Sequence, residues 1–285
     1  MNAKENSIMN FPFSTLLILF VLSILGCNEK EEPISSIEEP RKKIEMTTNY
    51  GTMVIELYDE TPLHRDNFVN LAKNKAYDSL LFHRVIEEFM IQGGDPESKE
   101  AQPNDTLGDG DAPYVVSAEF NSKLFHKKGV LAAARDDHPE RASSAMQFYI
   151  VQGRVFNDSL LAIAEERINR NMAIVYFRKI TPRNPILDSL QGARNSGNFK
   201  YYTVLGDSIL KLARAHENFT SYIIPDDQRA AYKSIGGTPH LDQNYTVFGE
   251  VIQGLDVVDS IAGVATESQD RPLKEVRILK VRLME

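Results

Sequence analysis

Tryptophan is absent from this chain of 285 residues, and cysteine occurs once, at Cys27. A single thiol excludes an intrachain disulfide, and no tryptophan-dependent site can be invoked. The six histidines, His64, His83, His126, His138, His216 and His240, show no paired spacing of the kind metal ligands need. No metal or cofactor is therefore expected. Gly93-Gly94 lacks phosphate-cradle spacing and reads as a turn, and Ser143-Ser144 lacks a nucleophile-elbow pattern. Excess positive charge is missing too: the formal net charge is -8, which argues against binding nucleic acid or an anionic lipid face through bulk charge. What is present suits a folded domain. Hydrophobic residues at 42% and charged residues at 25% are near the globular average, so a substantial core is available to one large domain or two smaller ones.

The N-terminus has its own character. Lys4 precedes an uncharged, mostly apolar run from Phe11 to Leu25 that ends in Ile24-Leu25-Gly26-Cys27. The run is short of the roughly 20 apolar residues a membrane-spanning helix needs, and it fits the h-region of a secretory signal. Ile-Leu-Gly-Cys resembles the processing signal of bacterial lipoproteins, which implies a signal peptide over residues 1–26 and lipidation of Cys27. A plain signal anchor with an incidental cysteine is the alternative. Acyl chains would anchor the chain stably, each buried CH₂ contributing roughly 0.8 kcal/mol. Residues 28–43 are polar, Pro-containing and aperiodic, and with Cys27 they read as a lipidated, flexible tether. The acidic cluster after Cys27 resembles surface-export tags of lipoproteins and reads equally as a solvated linker. The location expected is the bacterial cell envelope, at the periplasmic face or the outer-membrane surface.

From Ile44 onward the pattern is that of a domain, taken here as residues 44–285. Met46 to Tyr58 contains two β-type runs around Asn-Tyr-Gly-Thr. Thr61, as N-cap, and Pro62, at the first helical position, open an amphipathic helix whose buried face carries Phe68, Leu71 and Ala72. Short strands follow near 80–93, 114–118, 129–134 and 146–151, and β-type sequence resumes at 245–251 and 276–283, with a short helix from Leu255 between them. Many short strands separated by Gly and Pro suggest a barrel or sandwich. Residues 154–235 break this rhythm with apolar residues at helical spacing, which predicts a helical insertion within one β-domain.

Phe82-His-Arg-Val-Ile-Glu-Glu-Phe-Met-Ile-Gln-Gly-Gly-Asp95 is the most informative segment. Strong donors, Arg84 and Gln92, interleave with large apolar groups, Phe89 and Met90. That mixture suits a groove that grips an apolar ring and orients the adjoining amide. It equally describes a strand with two ordinary polar residues and a paired structural arginine.

Several separated motifs resemble the cyclophilin family of peptidyl-prolyl cis-trans isomerases. They are Gly51-Thr-Met-Val-Ile-Glu-Leu-Tyr with Asn67-Phe-Val-Asn-Leu-Ala; Phe82 to Asp95; Gly108-Asp-Gly before Tyr114 with Ala118-Glu-Phe; Gly129 to Arg135; Gln147-Phe-Tyr-Ile; and Thr238-Pro-His-Leu-Asp with Tyr245-Thr-Val-Phe-Gly-Glu-Val. The resemblance covers roughly residues 45–153 and 236–284, leaving the helical block without a counterpart in compact members. It implies a mainly β fold: a closed eight-stranded antiparallel β-barrel with two flanking helices, plus the insertion. It also implies rotation of X-Pro bonds in proline-containing segments of unfolded or exported proteins.

The chemistry implied can be stated physically. An X-Pro bond resists rotation because the nitrogen lone pair is delocalised into the carbonyl, and uncatalysed exchange takes tens to hundreds of seconds. A catalyst must stabilise the twisted amide, in which that lone pair is localised. Arg84 matches the family's catalytic arginine, and an arginine offers fixed, permanently charged donors. By the same resemblance Phe89, Met90, Tyr149, Leu241 and Tyr245 line the proline pocket, and Gln92 bonds the substrate carbonyl. The backbone near Ala134 and Arg135 holds the peptide, while Gly108, Gln147 and His240 belong to the groove. Three positions depart from the family: Tyr245 stands where many members have histidine, Tyr149 replaces a phenylalanine, and His240 replaces a tryptophan, which implies weak binding of cyclosporin. Asp111 stands where a second glycine is common. His83 reads as structural, on the strand face opposite Arg84.

Two further readings stand beside catalysis: a proline-peptide binding module or chaperone whose turnover is incidental, and an interaction surface for another envelope protein formed by residues 154–235. Removal of residues 154–235 is expected to leave basic peptide turnover intact and to change the handling of protein clients.

Overall fold

The computed structural model describes residues 40–284 except 104 and 137. The signal segment 1–26, Cys27 and all but the end of the tether lie outside the described residues. The first strand, β1 (Lys43–Thr48), opens at the last residue assigned to the tether and pairs with β2 (Gly51–Leu57) across the Asn49-Tyr50 turn. The rest of the large sheet is β3 (Phe82–Ile86), β4 (Met90–Gly93), β6 (Val130–Ala133), β8 (Phe148–Val151), β9 (Val247–Gln253) and β10 (Ile278–Leu283), in the order β10-β1-β2-β9-β6-β8-β4-β3, with every pairing antiparallel. A separate ladder joins β5 (Val115–Val116) to β7 (Ser143–Ser144).

Strand alternation sorts the two faces of this sheet. Ile44, Met46, Ile55, Ile91, Leu131, Phe148, Ile150, Phe248 and Val281 point to the inside of the curl and form the main core. Two helices close that core: α1 (Pro62–Lys73), through Phe68, Val69, Leu71 and Ala72, and α6 (Leu255–Ala262), through Val257, Val258, Ile261 and Ala262. Met90, Val130, Ala132, Tyr149, Val151 and Val247 point the other way and form a second apolar cluster on the outer face.

One expectation is corrected. The sheet is a curled half-barrel and not a closed barrel. Its edge strands β3 and β10 do not form a ladder; they approach through one isolated bridge, Leu81 to Arg277, and a few bonds such as Phe82 N–H to the Val276 carbonyl at 2.9 Å. These contacts join residues 79–82 to 276–278, where the chain is only entering β3 and β10, and they do not continue along the two strands. Thr61 stands at the N-cap of α1 and Pro62 opens it, as expected, but the Thr61 side chain does not cap the helix with a hydrogen bond. Glu119 does so from a distant loop, accepting the backbone N–H of Leu63 and His64 at 3.0 Å each and the His64 ring N–H at 2.7 Å.

Residues 154–235 are helical, as their spacing predicts: α2 (Asp158–Ile180), α3 (Pro185–Asn195), α4 (Phe199–Arg214) and α5 (Asp226–Ser234). The C-terminal half of α2 packs with α3 and α4 around Phe177, Leu190, Ile209 and Leu210. The N-terminal half packs with α5 around Leu161, Ile168 and Tyr232, and Phe125 of the β-domain joins that cluster. Both ends of the insertion leave the β-domain at one point, where Gly153 (φ 64°) lies against Gly237 (φ 152°). A Cβ on Gly237 would run into the His126 carbonyl, and one on Gly153 into the Gly237 backbone, so glycine is required at this crossing.

Candidate active site

Register brings the candidate residues into one row on the outer face. Arg84 on β3 pairs with Gln92 on β4, Gln92 with Tyr149 on β8, Tyr149 with Ala132 on β6, and Ala132 with Val247 on β9. Met90, two residues from Gln92, falls on the same face by the strand period, and with Tyr149 it forms a buried floor. Phe89, Leu241, Tyr245 and Ala134 are partly buried against that floor and wall it. Phe89 stacks on His240 with ring centroids 5.6 Å apart, and Tyr245 meets Tyr149 edge-on at 5.9 Å.

Arg84 is half-exposed at the edge of this floor. Its Nε donates to Asp270 at 3.4 Å and its Nη1 to the Gln92 side-chain oxygen at 3.5 Å. Both contacts are long. They orient the guanidinium without occupying Nη2, which has no partner among the described residues. Gln92 in turn donates to Gln147 Oε1 at 3.0 Å, and Gln147 donates to the carbonyls of Gly108 and Gly110 at 2.7 and 2.8 Å. A chain of side-chain amides therefore ties Arg84 to the glycine loop. That loop is fixed from behind by Asp95, which accepts the Gly108 N–H, and by Asp111, which accepts from Ala145 and Met146 at 3.0 and 2.8 Å. Asp111, which reads in sequence as a departure, is the tie between this loop and the lead-in to β8.

A second network lies beneath the floor. Tyr149 replaces an apolar ring, and its hydroxyl is satisfied by His126 Nε2 at 3.0 Å. Asp242 Oδ1 accepts both the backbone N–H of His126, at 2.9 Å, and its Nδ1, at 2.8 Å. The proton on Nδ1 leaves Nε2 to accept from Tyr149. Asp242 Oδ2 accepts from Tyr232 of α5 at 2.7 Å. All four side chains are buried, and burial pushes both tyrosine hydroxyls well above their ordinary pKa, so both remain donors. Tyr232 thus links the helical insertion to the support of this floor.

Other candidates fall out differently. Ala134 donates its N–H to the Gln147 carbonyl at 3.0 Å and accepts from Ser144 at 2.9 Å, so its main chain is already engaged. Arg135 donates to the backbone and side-chain oxygens of Asn244 at 3.1 and 2.9 Å and lies over the Tyr245 ring at 4.9 Å. Burial, then the Arg167 charge, holds His240 near pKa 3. His83 is buried with neither ring nitrogen partnered among the described residues, and burial holds it near pKa 4. Ser143, His64 and Glu119 are linked at 3.0 and 2.7 Å in the order of a hydrolytic triad, but Ser143 is 1% exposed and His64 3%, so the arrangement is a buried helix cap with no access for a substrate. Among the described residues no cluster of His, Cys, Asp or Glu could hold a metal ion.

The family model for cyclophilin type peptidyl-prolyl cis-trans isomerases matches residues 43–207 and 192–283. The chain belongs to this family. This cyclophilin is 30% identical over 245 residues to a Staphylococcus haemolyticus protein named as a peptidyl-prolyl cis-trans isomerase, covering 85% of the chain and 91% of the relative. It is also 30% identical over 274 residues to a Streptococcus pyogenes protein named as a bifunctional phosphatase/peptidyl-prolyl cis-trans isomerase, covering 94% of the chain and spanning 45% of that longer relative. Among solved structures, a cyclophilin type peptidyl-prolyl cis-trans isomerase from Cryptosporidium parvum shares the fold, with a TM-score of 0.50 at 17% identity, 86% of this chain and 98% of that chain being covered.

Asp270, Asp111, His126, Asp242 and Tyr232 are the supporting residues that sequence reasoning missed. Asp270 is separated from Arg84 by 186 positions and Asp242 from His126 by 116, and no local pattern marks such partners.

Proposed function

We propose that this chain accelerates cis-trans rotation of X-Pro bonds in unfolded protein segments, with Arg84 as the catalytic group. The observation that carries the reading is the row Arg84–Gln92–Tyr149, in which a tethered guanidinium with a spare donor edge stands beside an apolar floor. The prolyl ring would rest on Met90 and Tyr149 between Phe89, Leu241 and Tyr245, its burial contributing about 25 cal/mol per Å². Gln92 would hold the substrate carbonyl. The Arg84 Nη donors would meet the prolyl nitrogen as its lone pair localises, an interaction made only at the twisted geometry and therefore one that lowers the barrier. No nucleophile and no proton transfer are required. Because Ala134 spends its main chain within the fold, the backbone contact to the peptide would come from Arg135. A protease-coupled assay on an Ala-Ala-Pro-Phe peptide tests this: the native chain accelerates the slow phase, and Arg84→Ala does not. Equal rates would instead support a proline-peptide binding module.

The clients we propose are exported or envelope proteins, the enzyme being held at a membrane through lipid on Cys27. The support is the Leu25-Gly26-Cys27 sequence and the polar tether after it; among the described residues no helix is long and apolar enough to cross a membrane. Radiolabelled palmitate should enter the native chain and be lost in Cys27→Ser; equal labelling of both would remove the anchor.

A further inference from the structure

Beside the groove, sharing Arg135 and Tyr245 with it, lies a cleft of about 790 Å³. Six arginines line it: Arg135 and Arg141 from the β-domain, Arg167, Arg170 and Arg178 from α2, and Arg194 from α3. Asp136 is the one carboxylate among its described lining residues, in a chain whose formal net charge is -8. Positions 167, 170, 171, 174 and 178 of α2 all reach the cleft, which is the spacing of one helix face.

The positive charge here is only partly answered from within the fold. Arg170 pairs with Asp207 at 2.6 Å. Arg135 gives its donors to Asn244 and to the Asp136 carbonyl, neither of which is charged. Arg141 donates to the Gln243 carbonyl at 2.9 Å and covers the Phe120 ring, and burial together with neighbouring Arg135 holds it below the ordinary arginine pKa. Arg167 and Arg178 have no carboxylate partner among the described residues; Arg178 is exposed, and Arg167 presents surface to solvent while burial holds it below the ordinary arginine pKa.

We propose that this cleft is a subsite for acidic side chains flanking the proline of a bound peptide, so that the enzyme prefers X-Pro segments with Asp or Glu near the proline. The inference rests on the isomerase reading, and the link between the two is Tyr245. That ring walls the proline pocket through Tyr149 and also lines the cleft, with Arg135 lying over it. An extended peptide advances roughly 3.3–3.6 Å per residue, so a peptide leaving the pocket past Tyr245 would carry side chains a few residues from the proline into the cleft. Guanidinium forks suit carboxylates because they bond both oxygens at once. A nucleic acid fits less well: the chain as a whole repels a polyanion, and the positive charge is confined to the cleft.

The experiment compares peptides identical except for a Glu-Glu or a Gln-Gln pair placed just before or just after Ala-Pro. Exchange NMR reads the isomerisation rate and fluorescence anisotropy reads binding, for the native full chain and for the double variant Arg167→Ala/Arg178→Ala. In one placement the Glu peptide should be favoured about tenfold in kcat/KM, as two partly exposed ion pairs would give. That preference should shrink at about 0.5 M salt and vanish in the double variant, whose rate on the Gln peptide stays native. Charge reversal, Arg167→Glu/Arg178→Glu, should turn the preference toward a Lys-Lys peptide. Equal rates and affinities for Glu and Gln in both placements would overturn the proposal, as would a preference that survives the double variant. If the native chain turns over none of these peptides, the isomerase reading fails, and anisotropy alone decides the cleft: tighter Glu binding that the double variant loses supports it, and equal affinities overturn it.

Discussion

Tyr232→Phe tests whether the helical insertion supports the proposed proline pocket. The substitution keeps the ring, which packs edge-on against Phe125 at 5.4 Å, and removes only the hydroxyl. That hydroxyl is the single partner of Asp242 Oδ2 among the described residues, and Tyr232 and Asp242 are 0% and 1% exposed. A hydrogen bond to a charged group is worth about 1.5–3 kcal/mol, and an acceptor left buried without a donor places the loss toward the upper end. Asp242 keeps two donors on Oδ1, both from His126, so the carboxylate stays in place but less firmly. The slack passes through His126 to Tyr149. We therefore expect unfolding in urea, followed by far-UV circular dichroism, to lose about 2–3 kcal/mol. Tyr149→Phe, which deprives His126 Nε2 of its donor, should cost about 1–2 kcal/mol. Because both tyrosines bond to one His-Asp pair, the double variant should depart from additivity by at least about 0.5 kcal/mol. Peptide KM should rise in Tyr232→Phe although the residue is outside the groove. A loss below about 0.5 kcal/mol, with the two substitutions strictly additive, would refute the reasoning and leave the insertion as an independent module.

Acid should destabilise the fold before most carboxylates titrate. His83 and His240 have folded pKa values near 4 and 3, with burial the first cause in each, and burial lowers His64 in the same direction. Folding therefore favours their neutral forms; their contribution is fully present above the unfolded value of about 6.5 and is lost as pH falls below it, at roughly 1.4 kcal/mol per pH unit for His83 and for His240, with His64 adding in the same direction. Urea midpoints should fall between about pH 6.5 and 5, and His83→Leu should remove one group's share of that slope; a flat profile would contradict the assignment. Gln147→Leu cuts the link from Gln92 to the Gly108 and Gly110 carbonyls. It should lower kcat/KM about tenfold, the equivalent of ~1.4 kcal/mol of transition-state positioning, and an unchanged value would show that Gln92 needs no such brace.

The grouping at the centre of the candidate site was legible in the sequence because its residues are local. Arg84, Phe89, Met90 and Gln92 lie within one hairpin, where strand alternation alone separates Met90 and Gln92 from Ile91. The helical character of residues 154–235 was legible for the same reason, since apolar spacing is a local property. What sequence reading missed acts over distance. Asp270 steadies Arg84 from 186 residues away, Glu119 caps α1 in place of Thr61, and Tyr232 reaches Asp242 only because Gly153 and Gly237 bring both ends of the insertion to one point. Closure of the barrel was a further overreach. Counting strands says nothing about whether the last edge pairs with the first, and here the two edges meet only where the chain enters β3 and β10. The arginine face of α2 was visible as a helix with charged positions, but its relation to Tyr245 needed the packing of α2 against the Pro239–Leu241 turn.

The central claim is that Arg84 contributes to the rate and not merely to grip. Exchange NMR on an Ala-Pro peptide at equilibrium, with peptide affinity measured alongside, separates the two for the native chain, Arg84→Lys and Arg84→Ala. The account predicts that Arg84→Ala keeps its fold and binds peptide within a few-fold of native, while its isomerisation rate falls by about 10²–10³, as expected for loss of one preorganised donor, with Arg84→Lys recovering only part of it. An Arg84→Ala protein that binds and isomerises at the native rate would contradict it.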